Sequence, residues 1–502
     1  MNLLYKGVES KNGFQDKILT PLFEEKLIDK CVIVTRSDDI LPNSGRNIIE
    51  ISAGYAWNHT LENYLPKNEW LSIPAGILEN VKKYEAYSLY MTYRTVNFDI
   101  YSVFEAEAEY YYFLQFWYTV LVKEEINCFI TPYIPHCTWE FVIYALCKAM
   151  NIPTLVLCST SIPTRFTYGK SFEEIGNAIE TFYTQNNSAD AVFQNKNVKD
   201  FYFKTKNREA NSNLSYLGVT SSKKQWKKEC QKEVLRFVDY KQLYGFIRHF
   251  IKVLLVPSKN YSRSEELNKA LYNITLWKRT RAVYKKEKTV DWYDRYAVLP
   301  VKGEKFIYFP LHLQPEGTTL PMAGVFYNQV LALQILSEAV KGTDIKIYVK
   351  EHFVQTSRPK VFYEKIKKLP NVELIKTCVD STDLIDNSIV VSSCTGTVLL
   401  EGTIRGKCAF AFGKVYNWKG LPGLFLIKDS IQCKELIKGI LTGTIKIDPK
   451  QVEKYFTCIE KGTVPNYAYA EELQNFDKKE DFSDLINLYR NFIQETITQY
   501  GR

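Results

Sequence analysis

The chain lacks the patterns that would have settled its class at once. Its eleven cysteines fall singly, at 31, 128, 137, 147, 158, 230, 378, 394, 408, 433 and 458, with no C-x-x-C pair and only five histidines in the whole sequence. That spacing argues against zinc-ribbon sites and disulfide frameworks. Several of the thiols sit in apolar runs ("CFIT", "YALCKAM", "KCAFAF"), where a reduced cysteine serves as a small hydrophobe and a reducing cytosol is the expected compartment. No stretch reaches the ~18 uncharged apolar residues of a bilayer span. The nearest, "FIRHFIKVLLVP" (246–257), is short and carries Arg248, His249 and Lys252. The opening MNLLYKGVESKNG has no long apolar segment or small-residue cleavage site, so no secretory signal is expected. Internal repeats and low-complexity tracts are also missing.

What is present is ordinary globular material in quantity. At 502 residues, 46% hydrophobic and 24% charged, the chain is long enough for two or three domains with separate cores. Its net charge of +9 is concentrated: residues 196–288 hold roughly 23 Lys/Arg against about 8 Asp/Glu. Such a zone attracts polyanions, whether an anionic membrane surface, a lipid-linked glycan or nucleic acid. No basic–aromatic nucleic-acid motif accompanies the charge, so nucleic acid is not the expected partner.

Three zones separate by pattern. Up to residue 185, "CVIVTR" (31–36), "NIIEIS" (47–52), "NCFITPYI" (127–134) and "TLVLCSTS" (154–161) read as buried parallel strands, with "WEFVIYALCKAMN" (139–151) as a connecting helix. Residues 186–300 are lysine-rich and helical in pattern, an insertion or linker. Residues 301–480 resume the alternation, from the strand "KFIYFPLHL" (305–313) through "IKIYVKEH", "VELIK" and "IVVSS" to "CAFAFG", each pair separated by a helix. The expected fold is therefore α/β, two Rossmann-like doubly wound domains facing a cleft with a helical basic insertion between them. Residues 481–502 form a terminal helix expected to pack back on the first domain.

In parallel sheets the loops beyond the carboxyl ends of strands line the ligand crevice. In the last zone those loops carry Gln314, Glu316, Lys350, His352, Ser392, Ser393, Thr395, Gly396 and Thr397. A hydroxyl-rich loop opening a helix offers backbone N–H groups and a positive dipole end to phosphate; Lys350 and His352 add a cation and a proton donor. Glu401, on the following helix, matches the carboxylate that holds a nucleotide ribose in dinucleotide sites. The plainer alternative for the serine and threonine run is an N-cap, and for Glu316 a turn residue. In the first zone Pro135-His136 precedes a helix with Thr138 as N-cap and Glu140 in its first turn; His136 and Glu140 are candidates for acid and base. Arg165 is a candidate clamp for a carboxylate or phosphate.

The stretches "YFPLHLQPEGTTLPMAGVFYNQ", "YVKEHF", "FYEKIKKLPNVELI" and "SSCTGTVLLEGTIRGKCAFAFG" resemble the bacterial capsule polysaccharide biosynthesis proteins, a family that includes transferases of Kdo. "PHCTWEFVIYALCKAMNIP" is similar to that family's first domain. Membership would imply a GT-B glycosyltransferase with the donor nucleotide mainly on the second domain. The same segments are similar to the bacterial sialyltransferases of GT-B type, with their acidic-Gly, His-Pro and paired-serine motifs; that similarity would make Glu316 an acid or base near the reacting sugar, give His352, Ser392 and Ser393 the departing phosphate, and give Glu401 the ribose. Phe353 stands where that family usually has proline after the histidine. The function so implied is transfer of a ulosonic acid, Kdo or a nonulosonic (sialic-like) acid, from a CMP donor to a surface polysaccharide or glycolipid. The enzyme would be cytoplasmic, peripheral at the inner membrane face, and without metal or other cofactor. A CDP-polyol phosphotransferase and an NDP-sugar-dependent GT-B enzyme are the alternatives.

Overall fold

The computed structural model describes residues 1–7, 13–35, 45–57, 59–95, 103–185, 192–209, 240–255, 274, 293–314, 316–352, 358–413, 416–467 and 481–500. Two sheets organise them. The second, built from β7 (Phe306–Pro310), β8 (Lys346–Lys350), β9 (Val372–Ile375), β10 (Val390–Ser393), β11 (Cys408–Ala411) and β12 (Leu424–Leu426), is parallel throughout and runs in the order β12-β11-β10-β7-β8-β9. This is the doubly wound order, with its switch point between β7 and β10. Each of its strands is an apolar run with helices on both faces, the signature of a buried parallel sheet. Ile307, Phe309, Ile347, Val349 and Val390 pack to one side, and Phe306, Tyr308, Tyr348 and Val391 to the other.

The first sheet comprises β1 (Asn2–Lys6), β2 (Lys30–Thr35), β3 (Ile48–Ser52), β4 (Cys128–Thr131), β5 (Thr154–Ser159) and β6 (Arg165–Gly169), joined late in the chain by β13 (Val464–Pro465). The order is β13-β6-β5-β4-β1-β2-β3, parallel from β3 to β5 and antiparallel at β6 and β13. Its switch point lies between β1 and β4. The fold is thus two Rossmann-like doubly wound units. β1 was not read from the sequence: its apolar core is only Leu3, Leu4 and Tyr5, yet all three are fully buried at the centre of the sheet.

Helices Ala75–Thr95 and Val103–Lys123 pack on Thr138–Ala149, which is buried along nearly its whole length. The Asn177–Gln185 and Lys196–Lys206 helices pack on the Pro449–Lys461 helix, the first also touching β6 and the second Val398–Ile404, and their Ile179, Val198, Phe201 and Tyr202 share a core with Tyr308, Leu400 and Tyr455. A division at residue 185 therefore cuts through material that belongs to the second unit. The Ser483–Tyr500 helix packs on the first unit, where Leu485, Tyr489 and Ile493 meet Leu3, Tyr5 and Ile18. Arg490 pairs there with Glu25 at 2.6 Å. Of the helices expected in the 186–300 insertion, Lys196–Lys206 and Tyr240–Leu255 are described, and most of the remainder lies outside the described residues.

One close approach yields a stability prediction. The Val398–Ile404 helix sits on β10 so tightly that a Cβ on Gly402 would lie 2.3 Å from Val391 Cγ2. Val391 is fully buried and stiff at χ1, so it cannot swing aside. Gly402→Ala is expected to cost about 1–3 kcal/mol, read as a lower urea midpoint, and Val391→Ala in the same chain should return part of it. An unchanged midpoint would mean the helix can lift off the strand.

Candidate functional site

The two switch points face each other. Gly317, in the loop after β7, comes so near the loop after β4 that a Cβ built on it would lie 3.4 Å from His136 Cβ and Cγ. The segment that follows enters the first unit's core: Leu320 and Met322 are buried with Trp117, Phe141 and Tyr144, and the Tyr327 ring lies 4.6 Å from that of Tyr90. On the far side of the junction, Asn417 Nδ2 and Trp418 Nε1 donate to the carbonyls of Ser159 (3.0 Å) and Thr160 (3.3 Å) at the end of β5. The loops holding His136 and Glu316 therefore meet between the sheets.

On the first unit, Glu140 is buried and its Oε1 accepts from Tyr133 Oη at 2.7 Å. Its Oε2 accepts the backbone N–H of His136 at 3.5 Å, so the carboxylate serves the helix entrance and not the imidazole. Cys137, not Thr138, is the N-cap; Thr138 Oγ1 bonds Thr92 Oγ1 at 3.2 Å. His136 Nδ1 lies 2.6 Å from the carbonyl of Ile134. A carbonyl only accepts, so Nδ1 carries the hydrogen and, in the neutral ring, Nε2 carries the lone pair a base needs. Lys6, absent from the sequence reading, completes this corner. It is buried at the end of β1, 3.9 Å from Glu140 Oε1, and its Nζ lies 5.3 Å from the ring centres of both Tyr133 and Trp139.

On the second unit a histidine missed by the sequence reading occupies the switch point. His312, just past β7, is buried; its Nε2 accepts the backbone N–H of Thr395 at 3.1 Å and lies 2.9 Å from Ser393 Oγ. Since Nε2 is an acceptor here, the proton is on Nδ1. Burial, with Arg358 and His352 nearby, pushes its pKa down to about 3, so the ring is neutral. Its backbone is fixed as well. The N–H donates to Gln329 Oε1 at 2.8 Å, and Gln329 Nε2 donates to Gln314 Oε1 at 3.1 Å.

This arrangement changes the expected phosphate loop. Ser392 and Ser393 are buried, not presented outward: Ser392 Oγ donates to the Phe410 carbonyl at 3.2 Å, and Ser393 Oγ meets His312 and the Gly396 N–H (3.3 Å). The reason is positional. Both serines are residues of the central strand β10, where side chains face packed helices on either side. Thr395 is buried too, its Oγ1 donating to the Thr318 carbonyl at 2.5 Å. Thr397 stays exposed, its carbonyl accepting the Glu401 backbone N–H at 2.9 Å, and burial raises the pKa of the Glu401 carboxyl. Glu316, half-buried, accepts from Thr318 Oγ1 at 2.6 Å and anchors the turn leading to Leu320.

At the end of β8, Glu351 is buried and receives Arg358 at 2.5 and 2.6 Å, Tyr363 Oη at 2.5 Å and the His352 N–H at 2.6 Å. Arg358 also donates to the His312 carbonyl. One buried network thus fixes the backbone at both histidines. Burial first, then Arg358 and Lys350, lowers the His352 pKa to about 4. Lys350 is turned toward the next loop, donating to the Val379 carbonyl (2.6 Å) and Ser381 Oγ (2.8 Å). Arg165, a candidate anion clamp in the sequence, is buried against the end of the Pro449–Lys461 helix. It donates to the Glu460 and Thr463 carbonyls at 2.6 and 2.5 Å, because free carbonyls at a helix terminus satisfy a guanidinium. Phe353 lies outside the described residues. Among those described, no group of three or more His, Cys, Asp or Glu is placed to hold a metal ion.

The chain is a two-unit Rossmann-like protein whose facing switch points form its candidate site. It matches no protein-family model and no curated protein. Solved structures similar to it include a beta Kdo 2,7 transferase, KpsC of Thermosulfurimonas dismutans, at 18% identity and a TM-score of 0.22. That match covers 35% of this chain and spans about half, 52%, of the transferase chain. UDP-GlcNAc 2-epimerase of Neisseria meningitidis matches at 11% identity over 92% of this chain and 98% of its own, TM-score 0.24. The glycosyltransferase VinC matches at 10% over 99% and 100%, TM-score 0.23. At such identities and overlaps none of them assigns an activity to this chain.

Proposed function

We propose that the protein is a GT-B glycosyltransferase moving a ulosonic acid, Kdo or a nonulosonic acid, from its CMP ester to a surface glycan or glycolipid at the cytoplasmic face of the membrane. The observation that supports it is the Gly317–His136 approach, which gathers Glu316 and His136 at one junction with the His312–Ser393 loop behind them. In the reaction an acceptor hydroxyl loses its proton to a base while the bond from the sugar's anomeric carbon to the phosphate oxygen of CMP breaks. CMP departs with both electrons of that bond. His136 Nε2 and the Glu316 carboxylate are the bases at this junction. His352, neutral at pH 7, serves the leaving phosphate as an N–H donor; a dianion beside it would raise its pKa and let it pass a proton. In this reading Gln314, Thr397 and Lys350 would take the remaining nucleotide contacts, and Glu401 the ribose.

CMP is expected to raise the melting temperature where UDP does not. Glu316→Ala and His352→Ala, half-buried at loop positions, should melt near the parent and lose at least about 100-fold in transfer. Stabilisation by UDP alone points to an NDP-sugar donor. CMP released with phosphate carried to the acceptor points to a polyol phosphotransferase. Either result, or full activity in both variants, overturns the proposal.

A further inference from the structure

The Tyr240–Leu255 helix, YKQLYGFIRHFIKVLL, contains no acidic residue. From Tyr244 onward, Arg248, His249 and Lys252 gather on one side of the helix. Tyr244, Ile247, Phe250, Ile251, Leu254 and Leu255 recur at three- and four-residue spacing on the other. All six are exposed, from 41% for Phe250 to 76% for Leu255. Single exposed apolar residues are common on soluble proteins, but a continuous stripe of six is a surface that binds something.

Charge decides what. The helix lies in the stretch 196–288, with its excess of roughly 15 basic over acidic residues. A second copy docking stripe to stripe would bring two segments of the same strong positive charge together, a longer-range repulsion that works against self-association. An anionic surface gains from every one of these cations. Length agrees: sixteen residues make a helix of about 24 Å, shorter than the ~30 Å hydrocarbon core, and among the described residues no helix is long and apolar enough to cross a membrane. A short basic amphipathic helix with an aromatic residue on its apolar side fits in the plane of the interface.

We infer that this helix docks the protein on an anionic bilayer, its apolar stripe at the acyl boundary and Arg248 and Lys252 at the level of the lipid phosphates. The docking does not depend on the transfer proposal, though it would bring a lipid-linked acceptor and the site to the same surface. The test is co-sedimentation of the full chain with vesicles of phosphatidylcholine alone or with phosphatidylglycerol added, at low and high salt. The parent should sediment with the anionic vesicles, at least about tenfold less with the neutral ones, and less in high salt. Ile247→Glu, Ile251→Glu and Leu254→Glu combined should abolish sedimentation with the melting temperature kept. Arg248→Glu with Lys252→Glu should weaken it by about fivefold or more per position. No sedimentation of the parent, or undiminished sedimentation of the triple variant, overturns the inference. So does a parent that is dimeric without lipid while the triple variant is monomeric, since that gives the stripe to a second copy. A chain that sediments as expected but is not stabilised by CMP would sink the donor assignment and leave the docking intact.

Discussion

Arg358→Met is expected to lower stability by about 3–5 kcal/mol, because it leaves the Glu351 carboxylate buried without its counter-charge. Both partners are almost wholly enclosed, with side-chain exposures of 5% and 1%, so water cannot replace the guanidinium. Methionine fills much of the same space but gives up the cation–π contact of the Arg358 guanidinium over the Phe362 ring, 4.9 Å away, so the loss reports charge and hydrogen bonding more than volume. Adding Glu351→Gln should return part of the loss, since the amide carries no charge: its oxygen still accepts the His352 N–H, and its NH2 can donate to the Tyr363 hydroxyl that bonded the other carboxylate oxygen. Urea unfolding of the four chains of this cycle checks the prediction; a loss below ~1 kcal/mol in the single variant would show the pair to be solvated. Because Arg358 also holds the His312 carbonyl, the single variant should lose the proposed transfer more steeply than its residual folded fraction accounts for.

The parallel strands were legible because both faces are buried, which leaves continuous apolar runs in the sequence. "CVIVTR" and "VELIK" became β2 and β9 with ends shifted by a residue or so. β1 escaped because its apolar run is three residues long, and a short run says nothing about whether a strand will be central. Lys6 and His312 escaped for a related reason. Each lies at the carboxyl end of the first strand of its sheet, Lys6 as its last residue and His312 just past it, beside the switch point, but strand order is a property of pairing that no local pattern carries. His312 was absorbed into the strand "KFIYFPLHL". With β10 placed beside β7, its imidazole falls under Thr395, and the serines turn inward to meet it. Arg165 reads in sequence as a cation after a strand; only the helix end at Glu460 and Thr463, some three hundred residues away, shows that its donors are spent. Glu140 and His136, four residues apart, are candidates for acid and base in the sequence, which cannot say that the Glu140 carboxylate takes the His136 backbone N–H while the ring faces Gly317.

His312→Leu should be as damaging as the Arg358 change, for a different reason. It removes the acceptor that the Thr395 N–H and Ser393 Oγ share, leaving donors unmet in a buried loop, at about 1–3 kcal/mol each. His312→Gln places an acceptor at nearly the reach of Nε2 and should recover most of that loss. The two variants also separate by pH. The unfolded chain binds a proton at this residue below about 6.5, whereas the folded chain does so only near 3. The sign follows from linkage: full stability is kept above 6.5 and falls with pH from there toward the folded value, by about 1.4 kcal/mol per unit for one such histidine. His352, lowered to about 4, adds a second term over nearly the same window. The parent should therefore weaken between pH 6.5 and 4.5 with the combined slope, and His312→Gln with roughly one proton's worth less. Melting curves across that range check it. Parallel pH profiles for parent and glutamine variant would show that His312 takes up its proton in the folded state, and would end its role as the neutral acceptor that orders the loop.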